Sequence, residues 1–501
     1  MKQLLVVLLL GCIGITMVGC GNTESAEVEA MSETQYLGQD IESHSLYPVS
    51  SRGFVGDTMP YFEGDTFNVF YLDDLRDGQQ GYHPWSVMKT KDFTQFEDMG
   101  EVIPFGTTIE SQDIALGTGS VIKDESGTYH AFYTGHNDTY SPKEAVMHAT
   151  SSDMVNWTKK PEDTFTGNNY SQDDFRDPYV LYDEEAKCYM MLVVTRKDNT
   201  GVIAKYTSKD LSHWEDKGVF FKNDMGNDSN LECPTLIKFN GVWYLSFSDQ
   251  WPDRVVHYRI CESINGEFKK PKNDTFDGNG YYAGRMETDG KRLFVVGWNG
   301  TKNNHSDSEE YNWAGNMVAH ELKQDKNGNL TPILNEKIAE ELNNDLKLAP
   351  VNYTESVKAK SNNYTFSGND YEVVVFDKVL GSYLIQNTIK NFDSNSMFGY
   401  AFNLNSENVG NLNIVFDCAN NKIEFYNTSK IFEEDPQSKV DFDFTKCDEL
   451  KVSVVISDGV VVVYVNDQVA LTTRMYLSQG MDFGVFSINS AVDFENVKMY
   501  R

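Results

Sequence analysis

Between residues 54 and 335 the chain alternates short apolar, aromatic-rich runs with polar turns, a pattern that predicts strands rather than helices. Five aromatic-rich runs recur at nearly constant spacing: Asn68–Leu72, His130–Thr134, Tyr189–Val193, Trp243–Phe247 and Leu293–Gly297. A second unit, a small polar residue and an Asp followed by an aromatic, appears at residues 89–96 (Lys-Thr-Lys-Asp-Phe-Thr-Gln-Phe), 150–157 (Thr-Ser-Ser-Asp-Met-Val-Asn-Trp) and 207–214 (Thr-Ser-Lys-Asp-Leu-Ser-His-Trp). Each interval is long enough for a four-stranded sheet, so the repeat predicts five blades of a β-propeller over residues 46–335. The first strand of each blade is expected about one hairpin before its aromatic run, at Asp57, Gly119, Asp177, Glu232 and Gly284. Innermost strands line the central channel. Three of them are expected to start with a carboxylate at the same register, bringing Asp57, Asp177 and Glu232 to one mouth.

The pattern changes after residue 335. Residues 336–346 (Glu-Lys-Ile-Ala-Glu-Glu-Leu-Asn-Asn-Asp-Leu) predict a short connecting helix within a linker of residues 336–351, which contains Pro350. From residue 352 to 501, period-two strands such as Tyr371–Phe376, Leu450–Ile456 and Val460–Val465 predict a β-sandwich, with Asn466-Asp467 turning a hairpin. The expected fold is all-β: a five-bladed propeller followed by a sandwich.

The N-terminus reads differently again. Lys2 precedes an apolar stretch, Leu4 to Val18, that is short for a membrane span and ends in Met17-Val18-Gly19-Cys20. That run resembles the lipobox of bacterial lipoproteins, which implies removal of residues 1–19 and lipidation of Cys20. Residues 20–45 are polar and acidic, as a flexible tether would be. The expected location is the extracellular face of a bacterial membrane. Formal net charge is −32, which excludes a nucleic-acid partner because phosphate binding needs a basic surface. A neutral sugar is compatible with it. Cys188, Cys233, Cys261, Cys418 and Cys447 are too few and too scattered for a disulfide framework, although Cys418 and Cys447 are close enough in sequence to pair. No CxxC, HExxH or tight His/Cys cluster points to a metal.

Taken singly, an Asp in such a chain is more often a turn residue, and Asp92, Asp153 and Asp210 fit that reading. Three carboxylates lining one channel would repel one another, so a catalytic reading is the better one. Glycosidic bonds break when one carboxyl protonates the leaving oxygen while a second carboxylate attacks or activates water. Glu232, with the longer reach, is assigned the acid/base role, Asp57 the nucleophile, and Asp177 the stabiliser of developing positive charge, with Arg176 holding its geometry. Trp85, Asp113, Gln112 and Tyr282 are candidate substrate contacts. Trp251, Tyr281 and His83 are weaker ones, since most Trp and Tyr in a propeller fill its core.

Taken together, several motifs resemble glycoside hydrolase family 32, the levanases, inulinases and invertases. Phe175-Arg-Asp-Pro178 resembles the family's Arg-Asp-Pro motif and Leu231-Glu-Cys-Pro234 its Glu-Cys motif. Residues 113–120, 280–284, 313–316 and 463–476 resemble further family segments. The resemblance implies a retaining β-fructosidase acting on fructan or fructo-oligosaccharide through a covalent fructosyl intermediate, without cofactor or metal. The expected oligomeric state is a monomer. One departure stands out: the family's Asn-Asp-Pro-Asn-Gly run reads Gly56-Asp-Thr-Met-Pro60 here. Two alternatives remain. One is an inverting arabinofuranosidase- or xylosidase-like propeller hydrolase; the other is a non-catalytic surface lipoprotein that binds fructan.

Overall fold

The computed structural model describes residues 45–75, 82–171, 173–478 and 480–501. Residues 1–44 lie outside that set, and with them the expected signal segment of residues 1–19, Cys20 and all but the last residue of the expected tether. The described chain is nearly all β, a five-bladed propeller followed by a β-sandwich.

Blade I consists of Phe54–Glu63, Thr66–Asp74, Trp85–Thr90 and Glu97–Ile103, and blade II of Ala115–Lys123, Tyr129–His136, Glu144–Ser151 and Trp157–Lys159. Blade III follows with Phe175–Asp183, Cys188–Lys197, Thr200–Ser208 and Glu215–Lys222. Blade IV has Leu231–Phe239, Val242–Asp249 and Val256–Cys261; isolated bridges of His257 to Thr275 and Ile260 to Lys269 stand in for its outer strand. Blade V, of Tyr282–Thr288, Leu293–Lys302, Tyr311–Gln324 and Leu330–Ile333, meets blade I through the pair Val55–Gly315. The ring is also closed by Met317 N–H and Asn316 Nδ2, which donate to the carbonyls of Pro48 and Tyr47. Each aromatic run of the sequence is the second strand of a blade, and its side chains fill the seams. Phe70, Trp85 and Tyr133 pack between blades I and II, and Phe132, Phe175 and Tyr206 between II and III.

The repeated Asp residues all sit in the turn from third to fourth strand. In each, a Ser or Thr hydroxyl accepts the N–H of the residue after the Asp: Thr90 from Phe93, Ser151 from Met154 and Ser208 from Leu211. Phe93, Met154 and Leu211 adopt φ of 62°, 63° and 65° and are buried. A left-handed conformation is costly for such residues; burial of the apolar side chain offsets it, which explains why the repeat needs an apolar residue there.

The linker helix is shorter than the sequence predicts. It runs Glu336–Glu341, capped by Asn335, whose Oδ1 accepts from Lys337 N–H at 3.0 Å. Residues 344–346 are instead drawn into a ladder with the last strand, Asp345 opposite Tyr500 and Leu346 opposite Met499. The sandwich takes in Asp345–Leu346 and Pro350–Tyr353, and packs a seven-stranded sheet on an eight-stranded one around Phe398, Phe416, Val454 and Phe494. Its predicted hairpin turn holds Asn466 and Asp467 at φ of 52° and 53°. Cys418 is buried in this core, and all five cysteines of the described chain are free thiols.

Sandwich and propeller are joined by buried polar contacts as well as apolar ones. Asp277 accepts from Thr472 N–H at 2.7 Å and pairs with His320 at 3.0 Å. Fully buried Arg474 donates to the carbonyls of Asn299 and Gly300 and to Asn316. Groups this deeply buried need such partners, and the contacts fix how the sandwich docks on blades IV and V.

Candidate active site

All five innermost strands break their ladder at the same level. Pairing with the second strand skips from Val55 to Thr58 in blade I and from Leu116 to Gly119 in blade II. It skips from Arg176 to Tyr179 in blade III, from Glu232 to Thr235 in blade IV and from Tyr282 to Arg285 in blade V. In each case two residues oppose one, a β-bulge that bends the strand and re-aims its side chains. Gly56-Asp57, Gly117-Thr118, Asp177-Pro178, Cys233-Pro234 and Ala283-Gly284 therefore form one ring at the channel mouth. Asp177, Cys233 and Ala283, equivalent in position, have φ of 55°, 53° and 54°.

This corrects the register expected from sequence. The three carboxylates are not equivalent: Glu232 is the residue before the bulge, Asp177 the first residue in it and Asp57 the second. Each therefore enters the mouth from a different height. Their surroundings differ too. Asp57 accepts from Trp298 Nε1 at 3.0 Å on Oδ1 and from Thr118 Oγ1 at 2.7 Å on Oδ2. Glu232 accepts from Arg176 Nη2 at 3.0 Å and from Tyr282 Oη at 2.6 Å. Asp177, only 4% exposed, accepts the Cys233 N–H at 2.9 Å, while its own N–H donates to Thr134 Oγ1. The Asp177 carboxyl is raised to about 7, by burial first and by Glu232, against the opposing pull of Arg176, Arg285 and the Cys233 N–H.

Arg176 is the hub of the mouth. Besides Glu232 it reaches Asp174 at 2.8 Å and Glu144 at 3.3 Å. Burial works against its charge, but Glu144, Glu232 and Asp177 together hold it firmly protonated. Glu144 also accepts the Phe175 N–H at 2.8 Å, so the strand start and the guanidinium are fixed together. Tyr282 is raised above its ordinary value by burial and by Glu232, which keeps its hydroxyl a donor. The Arg254 guanidinium stacks over its ring at 4.6 Å.

Of the expected substrate contacts, Arg176 and Tyr282 reach the mouth, whereas Trp85, Gln112 and Asp113 do not. Trp85 is 0% exposed in the seam between blades I and II, with its indole N–H donating to the Gly117 carbonyl. Asp113 is buried and paired with Lys159 of the outermost strand of blade II at 2.5 Å. The Gln112 amide donates to the carbonyls of Gly135 and Lys143, closing a loop. Tyr281 is core, against His320 at 4.8 Å between ring centres. Trp251 is 36% exposed and donates its indole N–H to Asp228. The His83 ring lies 4.5 Å from that of Trp313. Trp313 also fills the space beside Gly56, where an added Cβ would lie 2.5 Å from its ring. Thr118 and Trp298, the two donors to Asp57, were not singled out in the sequence; Thr118 is readable only as the blade II equivalent of Asp57.

The model for "Glycosyl hydrolases family 32 N-terminal domain" matches residues 56–331, more than half of the chain. A sucrose-6-phosphate hydrolase of Vibrio alginolyticus is 24% identical over 309 residues, covering 58% of this chain and 62% of that protein. The levanbiose-producing levanase of Bacillus subtilis (strain 168) is 26% identical over 242 residues, covering 45% and 42% respectively. The chain thus spans less than two thirds of the length of these curated relatives. Among solved structures, the GH32 β-fructofuranosidase BmSUC1 of Bombyx mori superposes with a TM-score of 0.67 at 18% identity, over 91% of this chain and 93% of that one, a likeness of fold. The family model covers the whole bulge ring and the carboxylates in it, and the chain belongs to glycoside hydrolase family 32.

Proposed function

We propose that this protein is a retaining glycosidase that cleaves β-fructofuranosyl linkages in fructans or fructo-oligosaccharides outside the cell. The observation that carries the reading is the ring itself: three carboxylates from blades I, III and IV converge at one mouth, each with a distinct set of donors. Asp57, with one donor on each oxygen, is held in a single orientation as the nucleophile; it attacks the anomeric carbon while Glu232 gives its proton to the departing oxygen. The bond from anomeric carbon to leaving oxygen breaks, leaving a fructosyl ester on Asp57 and a released alcohol. Water then attacks the anomeric carbon and gives a proton to Glu232 as the bond from that carbon to the Asp57 carboxylate breaks, which releases fructose and restores both carboxyl groups. Asp177 accepts hydrogen bonds from ring hydroxyls and offsets the positive charge of the oxocarbenium-like transition state. The covalent step also permits transfer to a sugar acceptor.

The location rests on the sequence of residues 17–20, and a Cys20→Ala variant recovered from the soluble fraction rather than the membrane would support it. An extracellular anchor favours external fructan, whereas the curated relative from Vibrio is named for phosphorylated sucrose. The decisive experiment is sugar release and product chromatography on levan, inulin, sucrose, sucrose 6-phosphate and arabinan, for wild type and Glu232→Gln. Fructose release that collapses in the variant supports a β-fructosidase, and the preferred substrate identifies its class. Arabinose release would replace the reading with an arabinofuranosidase. Binding without release from any substrate would leave a fructan-binding lipoprotein.

A further inference from the structure

One level below the bulge ring, the innermost strands present Thr58, Gly119, Tyr179, Thr235 and Arg285 at equivalent positions. Only blade V puts a charge there. Arg285 is 1% exposed, and its Nη1 crosses the channel to donate to the Gly119 carbonyl at 2.7 Å. Its Nε and Nη2 are buried and have no hydrogen-bond partner among the described residues. That hydrogen bond occupies one of the three guanidinium nitrogens and leaves the rest of a buried cation unaccounted for. A buried cation with two idle donors is unfavourable unless negative charge nearby offsets it.

Asp177 supplies negative charge at the next level up: it lies in the blade III bulge, two residues before Tyr179, and its carboxyl feels Arg285 across the channel. The groups around Asp177 are Arg176 and Tyr179 on its own strand, Glu232 and Cys233 from blade IV, and Arg285 from blade V; Asp57 of blade I is a shared neighbour through Cys233, and the buried Glu287 of blade V is one through Tyr179. Arg176 is already divided among Glu232, Asp174 and Glu144. Arg176 still pulls on Asp177 most strongly, and Arg285 is the second cation acting on it, the one with no carboxylate hydrogen-bonded to it among the described residues. Its backbone follows directly from the blade V bulge, which sets its height relative to the ring.

We propose that Arg285 is a positioning residue for the reaction, supplying from beneath the mouth the positive charge that keeps Asp177 a carboxylate while the sugar is bound. The inference rests on the role given to Asp177 in the proposed function. It assigns Arg285 no contact with substrate; the arginine acts through Asp177.

The test is Arg285→Gln, with Arg285→Lys as the charge-conserving control, read by the pH profile of kcat and by a 13C carboxyl titration in which Asp177 is assigned by its loss in Asp177→Asn. In Arg285→Gln the acidic limb of kcat and the Asp177 titration both move to higher pH, by about one pH unit. kcat at pH 6 falls about tenfold with KM nearly constant, recovers toward alkaline pH, and is largely restored by lysine. A purely structural role would instead lower kcat equally at every pH and leave the titration in place, and that result overturns the inference. If the wild type releases no fructose from any substrate, the proposed function fails on that ground, while the carboxyl titration still decides whether Arg285 acts on Asp177.

Discussion

Two sets of carboxylates repeat around this propeller, and they are held in opposite ways. In the turns between third and fourth strands, Asp153 takes hydrogen bonds from the N–H groups of Val155 and Asn156, and Asp210 from those of Ser212 and His213. Every donor is two or three residues away. At the mouth, Asp57 is held by Thr118 and Trp298, 61 and 241 residues distant, and Glu232 by Arg176 and Tyr282, 56 and 50 residues distant. A turn Asp is satisfied by its own backbone and needs no fold around it. A mouth carboxylate is oriented only once several blades have closed, so its geometry is a property of the ring, as pre-organised chemistry requires.

The sharpest break of that comparison is Asp57→Asn. It keeps the shape of the side chain and removes the proposed nucleophile, so turnover should fall about 10⁴-fold or more while Tm stays within a few degrees of wild type. Initial rates on the best substrate, with a melting curve on the same sample, check it; retained turnover would show that Asp57 is not the nucleophile. Next in size is Thr118→Val, which conserves volume and removes the donor to Oδ2. With one charge-assisted hydrogen bond lost, kcat should drop about 10- to 100-fold with KM little changed. An unaltered kcat would mean that Trp298 alone fixes the carboxylate.

How much of this was legible follows the same division. The turn Asp residues, the five aromatic strands and the sandwich hairpin are encoded in neighbouring residues, and the sequence pattern located them. The bulge ring is not. Each bulge is defined by what the second strand places opposite it, so the carboxylates looked equivalent in sequence when they stand one residue apart in register. Trp85 and Asp113 were misplaced for a related reason: a Trp after His-Pro and an Asp before a Gly-rich strand look like mouth residues, yet one fills a seam and the other pairs with Lys159. Thr118, Trp298 and Arg285 carry no local signal, because each matters through a partner on another blade. The connecting helix was overextended because the pairing of residues 345–346 with the last strand cannot be seen from the helix end of the chain.

A third prediction uses stability. The Asp177 carboxyl, raised to about 7 in the fold, has an ordinary value near 4 when unfolded. The folded state therefore favours the protonated form, and the stability associated with it is present below about pH 4 and is lost as pH rises through about 7. Asp177→Asn resembles the protonated carboxyl and still offers an oxygen to the Cys233 N–H, so it escapes that loss. Its stability relative to wild type should grow between pH 4 and 8, by on the order of 2 kcal/mol, even though activity is lost. Melting curves across that range check the slope; a constant difference would show that Asp177 is not strained by its surroundings.

The smallest effect should come from the turn set, and its sign is the informative part. In Asp153 and Asp210 the carboxylate is stabilised by hydrogen bonds, led by the Asn156 side chain in the first and the His213 backbone N–H in the second, and both are held below the usual carboxylate value. Their contribution is present above the unfolded value of about 4 and lost only as acid takes the pH below it. Both side chains are exposed, so Asp153→Ala or Asp210→Ala should cost less than about 1 kcal/mol and leave kcat unchanged. The difference in Tm from wild type should be flat from pH 5 to 8 and shrink only in acid, where the Asp177→Asn difference also fades but from the opposite sign. Two identical functional groups on one ring would then show opposite pH signatures, one because the backbone beside it satisfies it, the other because the fold has buried it for use. Parallel slopes in the two series would remove the distinction between the sets.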